Sequence, residues 1–274
     1  MVREYHTMEM EKADGVAVIR MAPRASDFHG RANPVDELGD IISHLRDDDD
    51  IRVVVLTGAE DGQFLGAYPT QARRDVSNPA SVWRATMGIV RCHQAMAEIE
   101  KPIVARVNGD AVGLGQAFML ACDIIVARED AKFSDLHLGM GQVIPAWSDS
   151  PVGPAFGLAP GDGGGALVPL YMGPAKAKEY VMLSLECTAR EWADANIINH
   201  AVPMEKLDSV VDDIVERLLQ KSAYALAWTK RILNRHVAAQ LNLTLDAAAA
   251  YEFLNFVQAK TLGSDDLTLG YGSE

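Results

Sequence analysis

The stretch 101–173 constrains the fold of this chain more than any other part of it. It opens with a short apolar run, 102–107, typical of a buried strand, and a glycine-rich turn follows at 108–115. The apolar run to Cys122 predicts a helix, and 123–127 predicts the next strand. Glycines let the backbone approach a ligand closely, and the start of a helix presents unpaired N–H groups. This order of elements therefore predicts a site built partly from backbone donors.

Composition and charge exclude several kinds of partner. The 274-residue chain is 49% hydrophobic and 23% charged, which is ordinary for a globular protein with a sizeable core. A net charge of −13 argues against a nucleic-acid surface and against attraction to anionic lipid. The three cysteines are far apart and odd in number, which favours free thiols in a reducing compartment. With no signal-peptide core and no apolar run long enough to span a bilayer, we expect a cytoplasmic protein.

The chain divides into two regions of different class. Residues 1–202 alternate between strand and helix patterns, whereas residues 203–274 are helical throughout. In the first region, outside 101–173, strands are expected at 8–12, 15–21 and 51–58, and helices after Asn33 and over 81–100. In the second region, helices are expected over 204–220, 223–241 and 245–262. The C-terminal helices are apolar on more than one face, which predicts an oligomer.

Seven stretches of the chain resemble one known family. They are 53–58, Phe64-Leu65-Gly66-Ala67, 101–109, 121–124, 131–133, 160–164 and 189–193. Together they cover most of the chain, which resembles the crotonase superfamily, the enoyl-CoA hydratase/isomerase fold. The resemblance implies an α/β fold, a crotonase-like ββα spiral with a helical C-terminal trimerisation region. It also implies an oxyanion hole formed by the backbone N–H groups of Leu65 and Leu114, which would stabilise a carbonyl oxygen that gains negative charge.

The acid–base residues differ from those of the hydratases in this superfamily. Hydratases carry two glutamates, one just after the glycine turn and one after the Ala-x-Phe strand. The matching positions here hold Ala117 and His137. The absence of both glutamates disfavours water addition across a double bond, and it also disfavours an isomerase that relies on the second glutamate.

The replacements resemble the β-diketone hydrolases of the superfamily, the 6-oxocamphor hydrolase type, which cleave a carbon–carbon bond between two carbonyls. In that group a histidine after the Ala-x-Phe strand pairs with an aspartate in a Pro-Gly-Asp-Gly turn, and here these residues are His137 and Asp162. Glu252 matches a glutamate of the group's C-terminal helix. The group's histidine in the glycine turn falls near Leu114, and its active-site tryptophan falls near His29, where this chain has no tryptophan.

Each candidate catalytic residue also has a structural interpretation. His137 could bond to backbone within a loop, Asp162 could be a turn or N-cap residue of a helix over 163–172, and Glu252 could form a salt bridge at a subunit contact. However, a neutral imidazole is a suitable base near pH 7, and a carboxylate on its other nitrogen fixes the tautomer. Such a pair can activate water. We therefore take His137, Asp162 and Glu252 as the candidate catalytic residues.

A long loop separates His137 from Asp162. Residues 140–158 are rich in glycine, proline and serine and carry two aromatic residues, Trp147 and Phe156. A long loop inside a compact domain is usually functional or disordered, and the aromatic residues favour a lid or pocket wall. A loop that packs between subunits is the alternative. We expect Trp147, Phe156 and His29 to contact the substrate.

These observations predict a hydrolase that cleaves a small β-diketone, a cyclic one being favoured. The alternatives are an acyl-CoA enzyme of the same family and, in another class, a non-catalytic oligomer that binds a ligand. No cofactor and no metal are expected, since no histidine or cysteine spacing suggests a metal site. The tail 263–274 has no Lys or Arg for the phosphates of CoA, although Arg73 and Arg74 could bind one. The expected assembly is a homotrimer or a dimer of trimers.

Overall fold

A six-stranded sheet lies at the centre of the computed structural model, which describes residues 5–21, 34–59, 62–65, 78–139 and 157–262. The strands in these residues are β1 (Met8–Ala13), β2 (Val16–Met21), β3 (Val53–Gly58), β4 (Gly62–Leu65), β5 (Ile103–Val107), β6 (Gly109–Val112), β7 (Ile124–Arg128), β8 (Lys132–Ser134), β9 (Cys187–Thr188) and β10 (His200–Val202). The large sheet has the order β1-β2-β3-β5-β7-β10. The predicted hairpin of β1 and β2 is antiparallel, and all other neighbours in this sheet are parallel.

Helices follow the strands and cover the sheets. In the described residues they are α1 (Pro34–Arg46), α2 (Pro79–Glu98), α3 (Leu114–Leu120), α4 (Gly164–Met172), α5 (Pro174–Met182), α6 (Ala189–Asp194), α7 (Met204–Leu219), α8 (Ala223–Leu233) and α9 (Arg235–Leu262). Helix α2 begins at Pro79, earlier than predicted, because the Asn78 side chain accepts the N–H of Ala80 at 3.0 Å and caps it. None of the described helices is long and apolar enough to cross a membrane.

Successive strands alternate between the large sheet and a smaller one of order β4-β6-β8-β9. Strands β3, β5 and β7 each lead into β4, β6 and β8 of the smaller sheet, and a helix follows each pair. This is the predicted ββα repeat. It places the C-terminal ends of β4, β6 and β8 side by side, and the loops that follow these ends carry the residues of the candidate site.

One strand lies inside the segment that the sequence predicts to be a glycine-rich turn. Strand β6 pairs with β4 on one side and with β8 on the other. Gly109 approaches β4 so closely that a Cβ there would lie 2.0 Å from the carbonyl carbon of Gly62. This glycine therefore permits two backbones to approach each other and does not make a turn. The turn prediction was wrong for 109–112 because so short a strand has no readable periodicity.

The C-terminal helices divide at a different place from the one predicted. The sequence predicts a break between residues 241 and 245, but α9 runs through it and the break lies at Asn234. The Asn234 amide donates to the carbonyl of Ala97 at 3.1 Å and to the carboxylate of Asp123 at 3.2 Å. Thr244, which lowers helix propensity, donates its hydroxyl to the Gln240 carbonyl in its own helix. Tertiary contacts, not local propensity, therefore decide where the chain turns.

Apolar side chains cover both faces of the large sheet. All six residues of β3 are buried, as in a parallel strand with helices on both sides. Val53 and Val55 pack with α7 residues, whereas Val54 and Leu56 belong to the larger core that includes α1 and α2. Helix α9 contacts both α2 and α4. The C-terminal helices therefore pack against the α/β core and reach the loop before α4.

Candidate active site

The two described ends of the loop between His137 and Asp162 are in contact. The N–H of Leu158 donates to the carbonyl of His137 at 2.8 Å. Gly157 has φ +73°, and a Cβ there would lie 2.7 Å from the carbonyl oxygen of Leu138. Because the two ends of the loop are in contact, the residues between them add no distance between His137 and Asp162.

His137 lies between two aspartates. Its Nδ1 is 2.9 Å from Oδ1 of Asp135, and its Nε2 is 3.5 Å from Oδ2 of Asp162. All three side chains are buried, with relative exposures of 2% for His137, 1% for Asp135 and 9% for Asp162. We expected a hydrogen bond between His137 and Asp162; the two side chains do face each other, but 3.5 Å is longer than an ordinary hydrogen bond. The hydrogen bond of ordinary length is the one to Asp135.

Asp135 is the residue that the sequence prediction missed. It directly follows β8 and stands two positions before His137, and the two residues are joined by a tight turn, not by a strand. The signal in the sequence was a carboxylate close to the candidate histidine. The structural interpretation of His137 is also partly correct, since Nδ1 lies 3.1 Å from the backbone carbonyl of Asp135.

The charges around His137 and Asp162 raise both pKa values. Burial favours the neutral imidazole, but the carboxylates of Asp162, Asp135 and Glu252 outweigh it and hold the pKa of His137 well above its ordinary value. Burial, assisted by Asp135 and Glu252 and opposed by His137, raises the pKa of Asp162 to about 7. Both increases have one cause, because a single imidazole faces three buried carboxylates and the cluster retains a proton. Both groups are therefore biased towards their protonated forms relative to the same side chains in water.

Gly113 forms one wall of the site at the start of α3. It has φ +51°, and a Cβ there would lie 3.6 Å from Oδ2 of Asp162 and 4.0 Å from Cε1 of His137. Gly115, one residue into the helix, approaches the carbonyl oxygen of Leu65 so closely that a Cβ would lie 2.1 Å from it. The start of α3 is therefore in backbone contact with the end of β4 and lies beside the acid–base pair.

Asp162 does not cap the helix that follows it. Helix α4 begins at Gly164, its N-cap is Gly163, and no side chain bonds at the cap. The N-cap part of the interpretation is therefore wrong. The turn part is supported, because the Asp162 carboxylate accepts the backbone N–H of Gly164, two residues on, and also faces His137.

Glu252 reaches the same turn from α9. It is buried, with 4% exposure, and its side chain packs against Gly161. A Cβ at Gly161 would lie 2.6 Å from Oε2 of Glu252, so glycine is required for this contact. Glu252 thus belongs to the same cluster of charges, because it acts on the pKa values of both His137 and Asp162.

Several predicted contact residues lie outside the described part of the chain. They are His29, Trp147, Phe156, Arg73, Arg74 and the tail 263–274. Of the predicted lid, residues 140–158, the structure describes only Gly157 and Leu158. Among the described residues, no group of three or more His, Cys, Asp or Glu side chains is arranged to hold a metal ion.

An apolar groove of about 900 Å³ runs between α2 and α9. Val90 on α2 and Phe253 on α9 are among its lining residues, and none of the candidate catalytic residues lines it. Val90 lies about one helical turn before His93, which contacts Gly163, and Phe253 directly follows Glu252. The groove therefore lies beside residues that neighbour the site along α2 and α9.

Sequence comparison relates the chain to enzymes that act on CoA thioesters. The profile of the enoyl-CoA hydratase/isomerase family matches residues 11–152 and 150–261. A crotonyl-CoA hydratase from Syntrophomonas wolfei is 25% identical over 248 residues, which cover 89% of this chain and 88% of that protein. A short-chain-enoyl-CoA hydratase from Clostridium acetobutylicum is 23% identical over 252 residues, 91% of this chain and 87% of that protein.

Solved structures with the same fold include a different activity. A β-diketone hydrolase from the cyanobacterium Anabaena, bound to (S)-3-oxocyclohexyl acetic acid, superposes with a TM-score of 0.78 at 24% identity and covers 93% of this chain and 96% of its own. An enoyl-CoA hydratase/isomerase from Mycobacterium paratuberculosis gives 0.77 at 24% identity with the same coverage. These similarities confirm the predicted fold class, and at such identity they bear on the fold alone.

Proposed function

This chain belongs to the enoyl-CoA hydratase/isomerase family, and we propose that within this family of enzymes it is a hydrolase that cleaves a carbon–carbon bond of a small β-diketone. The observation that carries the proposal is the His137–Asp162 pair, with Nε2 and Oδ2 3.5 Å apart. The pair occupies the side of the site where, by resemblance, hydratases carry glutamate. A buried imidazole that faces a carboxylate suits the activation of water.

The proposed reaction begins when the His137–Asp162 pair accepts one proton from a water molecule. The water oxygen forms a bond to one carbonyl carbon of the diketone, and the carbonyl oxygen gains negative charge. The bond from that carbon to the central carbon then breaks, and its electron pair passes to the second carbonyl as an enolate. The pair returns the proton to the central carbon. The products are a carboxylic acid group and a ketone, which remain joined when the substrate is a ring.

We propose the backbone N–H groups of Leu65 and Leu114 as donors to the oxygen that gains charge. Leu114 is the first residue of α3, and the N–H groups of a first helical turn have no acceptor within the helix. The contact of Gly115 with the Leu65 carbonyl supports a close approach of the two backbones. Two preorganised donors in a buried site would stabilise both the tetrahedral adduct and the enolate.

The charges around the site favour a substrate without a phosphate-bearing handle. The three carboxylates near His137 would repel a phosphate placed beside them. The groove between α2 and α9 offers apolar side chains within a helical turn of the site. The Anabaena hydrolase of the same fold was solved with a cyclic keto acid, which supports a ring-opening reaction by analogy.

The test of this proposal is turnover of cyclohexane-1,3-dione, which hydrolysis would convert into 5-oxohexanoic acid. We expect product by proton NMR with the wild-type chain and strongly reduced product with Asp162→Asn. The control is Asp110→Asn, a half-buried aspartate that accepts the N–H of Lys132 on the smaller sheet. A wild-type chain that leaves a panel of cyclic and linear β-diketones intact would contradict the proposal.

The second candidate is an acyl-CoA enzyme, which the names of the sequence relatives favour. Crotonyl-CoA tested in the same assay distinguishes the two, since loss of its conjugated double bond is followed by absorbance. Turnover of crotonyl-CoA without any turnover of diketones would replace the first proposal. A chain that binds either compound and converts neither would be the non-catalytic alternative.

We also propose that the chain assembles as a trimer or a dimer of trimers. Tyr224, Trp228 and Ile232 recur every fourth residue along α8, so they share one face, and each is more than 60% exposed. An apolar stripe of this kind is typical of a surface that another subunit covers. Light scattering at micromolar concentration tests the assembly, and a monomer would contradict it.

A further inference from the structure

The position of Asp135 behind His137 assigns it a role that the predicted pair does not include. We propose that Asp135 is the positioning residue of the site, which accepts the Nδ1–H of His137 and so presents Nε2 to Asp162 and to the substrate. This inference rests on the proposed function of His137 but makes a claim about the imidazole that can be measured without any substrate.

The hydrogen bond itself determines which nitrogen carries the proton. Nδ1 lies 2.9 Å from Oδ1 of Asp135 and 3.1 Å from the backbone carbonyl of the same residue, and because a carbonyl oxygen can only accept, this environment favours Nδ1 as the donor. A neutral imidazole then has its lone pair on Nε2, the atom 3.5 Å from Asp162. Because both side chains are almost fully buried, water does not compete for this bond.

The backbone between the two residues holds the pair together. The N–H of His137 donates to the carbonyl of Asp135 at 2.9 Å, a γ-turn whose central residue, Leu136, has φ +64°. A positive φ is unfavourable for leucine and persists only where the surrounding structure holds it. Leu136 is buried, and the carbonyl of His137 is bonded to Leu158 across the base of the loop. The strained turn therefore brings the Asp135 and His137 side chains into contact.

Buried neighbours on α4 and α5 contact Asp135 and limit its movement. The Tyr180 hydroxyl hydrogen bonds with the backbone of Asp135 and donates to Oε1 of Gln116 at 2.5 Å. The second carboxylate oxygen of Asp135 approaches Gly164 so closely that a Cβ there would lie 2.1 Å from it. The carboxylate is therefore confined on both sides, as expected of a group that fixes the orientation of another.

Several charged groups among the described residues change the pKa of His137. Asp135 faces it from the end of β8, Asp162 from the turn before α4, and Glu252 from α9; Tyr180 on α5 adjoins Asp135. Asp162 and Glu252 also favour the imidazolium, and Asp162 faces Nε2. In Asp135→Asn the backbone carbonyl of residue 135 remains as an acceptor for Nδ1, so we expect the loss of the carboxylate charge to appear in the pKa of His137.

The experiment is nitrogen NMR of the chain labelled at histidine, with His137 assigned from the His137→Gln spectrum. In the wild type we expect Nδ1 of His137 to remain protonated across the titration and the pKa to lie above 6.5, the ordinary value. In Asp135→Asn we expect the pKa to fall by about one to three pH units, because an opposite charge within hydrogen-bond distance is lost. Asp110→Asn, the matched control, should leave the His137 signals unchanged.

Two results would overturn the proposal. One is a neutral His137 that is protonated at Nε2 in the wild-type chain. This measurement needs no variant, so it can be made even if Asp135→Asn fails to fold. The other is a folded Asp135→Asn chain whose His137 titrates as in the wild type, which would leave Asp135 a merely structural residue. Both results are independent of diketone turnover, so failure of the proposed function and failure of this inference are distinguishable. If diketones are substrates, Asp135→Asn should also lower kcat by about 100-fold or more and shift its pH profile.

Discussion

His137 and His93 are both buried and both lie against the 160–164 turn, but their surroundings differ. His93 on α2 bonds through Nδ1 to the carbonyl of Ile89 at 3.0 Å, and burial lowers its pKa to about 4. His137 meets three carboxylates, which raise its pKa in spite of equal burial. Burial alone thus keeps a histidine neutral and inert, whereas buried carboxylates make it an acid–base group. The partners of a histidine, not its depth, identify the site.

The largest expected effect comes from replacing each histidine by glutamine. We expect His137→Gln to lower diketone hydrolysis by about 1,000-fold, because the general base is lost. His93→Gln should retain activity within about tenfold, since His93 has no part in the proposed proton transfer. Rates with cyclohexane-1,3-dione, together with circular dichroism to show that both variants fold, provide the measurement. Equal losses in the two variants would remove the distinction between the histidines.

The next effect is on stability in acid. The pKa of His93 is about 4 in the folded chain and 6.5 when unfolded, so the unfolded chain binds the extra proton between these values. The free energy of unfolding therefore falls by about 3 kcal/mol as the pH is lowered from 6.5 to 4. Urea unfolding at pH 7 and at pH 4.5 should show a smaller loss for His93→Gln than for the wild type. The raised pKa values of His137 and Asp162 instead increase the free energy of unfolding as pH falls. Because the wild type and His93→Gln share these two groups, their contribution cancels when the two chains are compared.

A smaller effect is expected from the contact between His93 and the turn. Gly163 has φ +124°, and a Cβ there would lie 2.3 Å from Nε2 of His93. We expect Gly163→Ala to destabilise the chain by about 1–3 kcal/mol through strain and contact together. The control is Gly173→Ala, whose φ is +74° with nothing within 4 Å of the added Cβ. Thermal unfolding compares the two, and equal losses would argue against a tight contact at His93.

The smallest effect is expected from Glu252. Its carboxylate is the last of the charges that raise the pKa of His137, and for Asp162 it follows Asp135. Glu252→Gln should therefore move the inflection of the kcat/KM profile to lower pH by less than about one unit. The direction follows because a lost negative charge makes protonation of the pair less favourable. An inflection that moved to higher pH would exclude Glu252 from the electrostatics of the site.

Local patterns in the sequence predicted most elements, and the family resemblance proposed every residue of the charge cluster around His137 except Asp135. Strand β3 and helix α1 follow from periodicity, and His137 and Asp162 follow from the motifs on either side of the loop. Asp135 was missed because its role depends on the γ-turn at Leu136, which no local preference of leucine predicts. The break at Asn234 was missed for a similar reason, since its partners Ala97 and Asp123 are distant in sequence.

By itself the sequence determined the order of the ββα units and the glycines that allow backbones to touch, and it proposed which residues act as acid and base. Tertiary structure decided whether those residues meet and in which charge state. The Leu158–His137 hydrogen bond closes the loop and brings Asp162 opposite the imidazole. The carboxylates of Asp135, Asp162 and Glu252 come from three separate elements, and their effect on His137 depends on distance and burial. Electrostatic energies vary with both quantities, and neither is encoded in any local stretch of the chain.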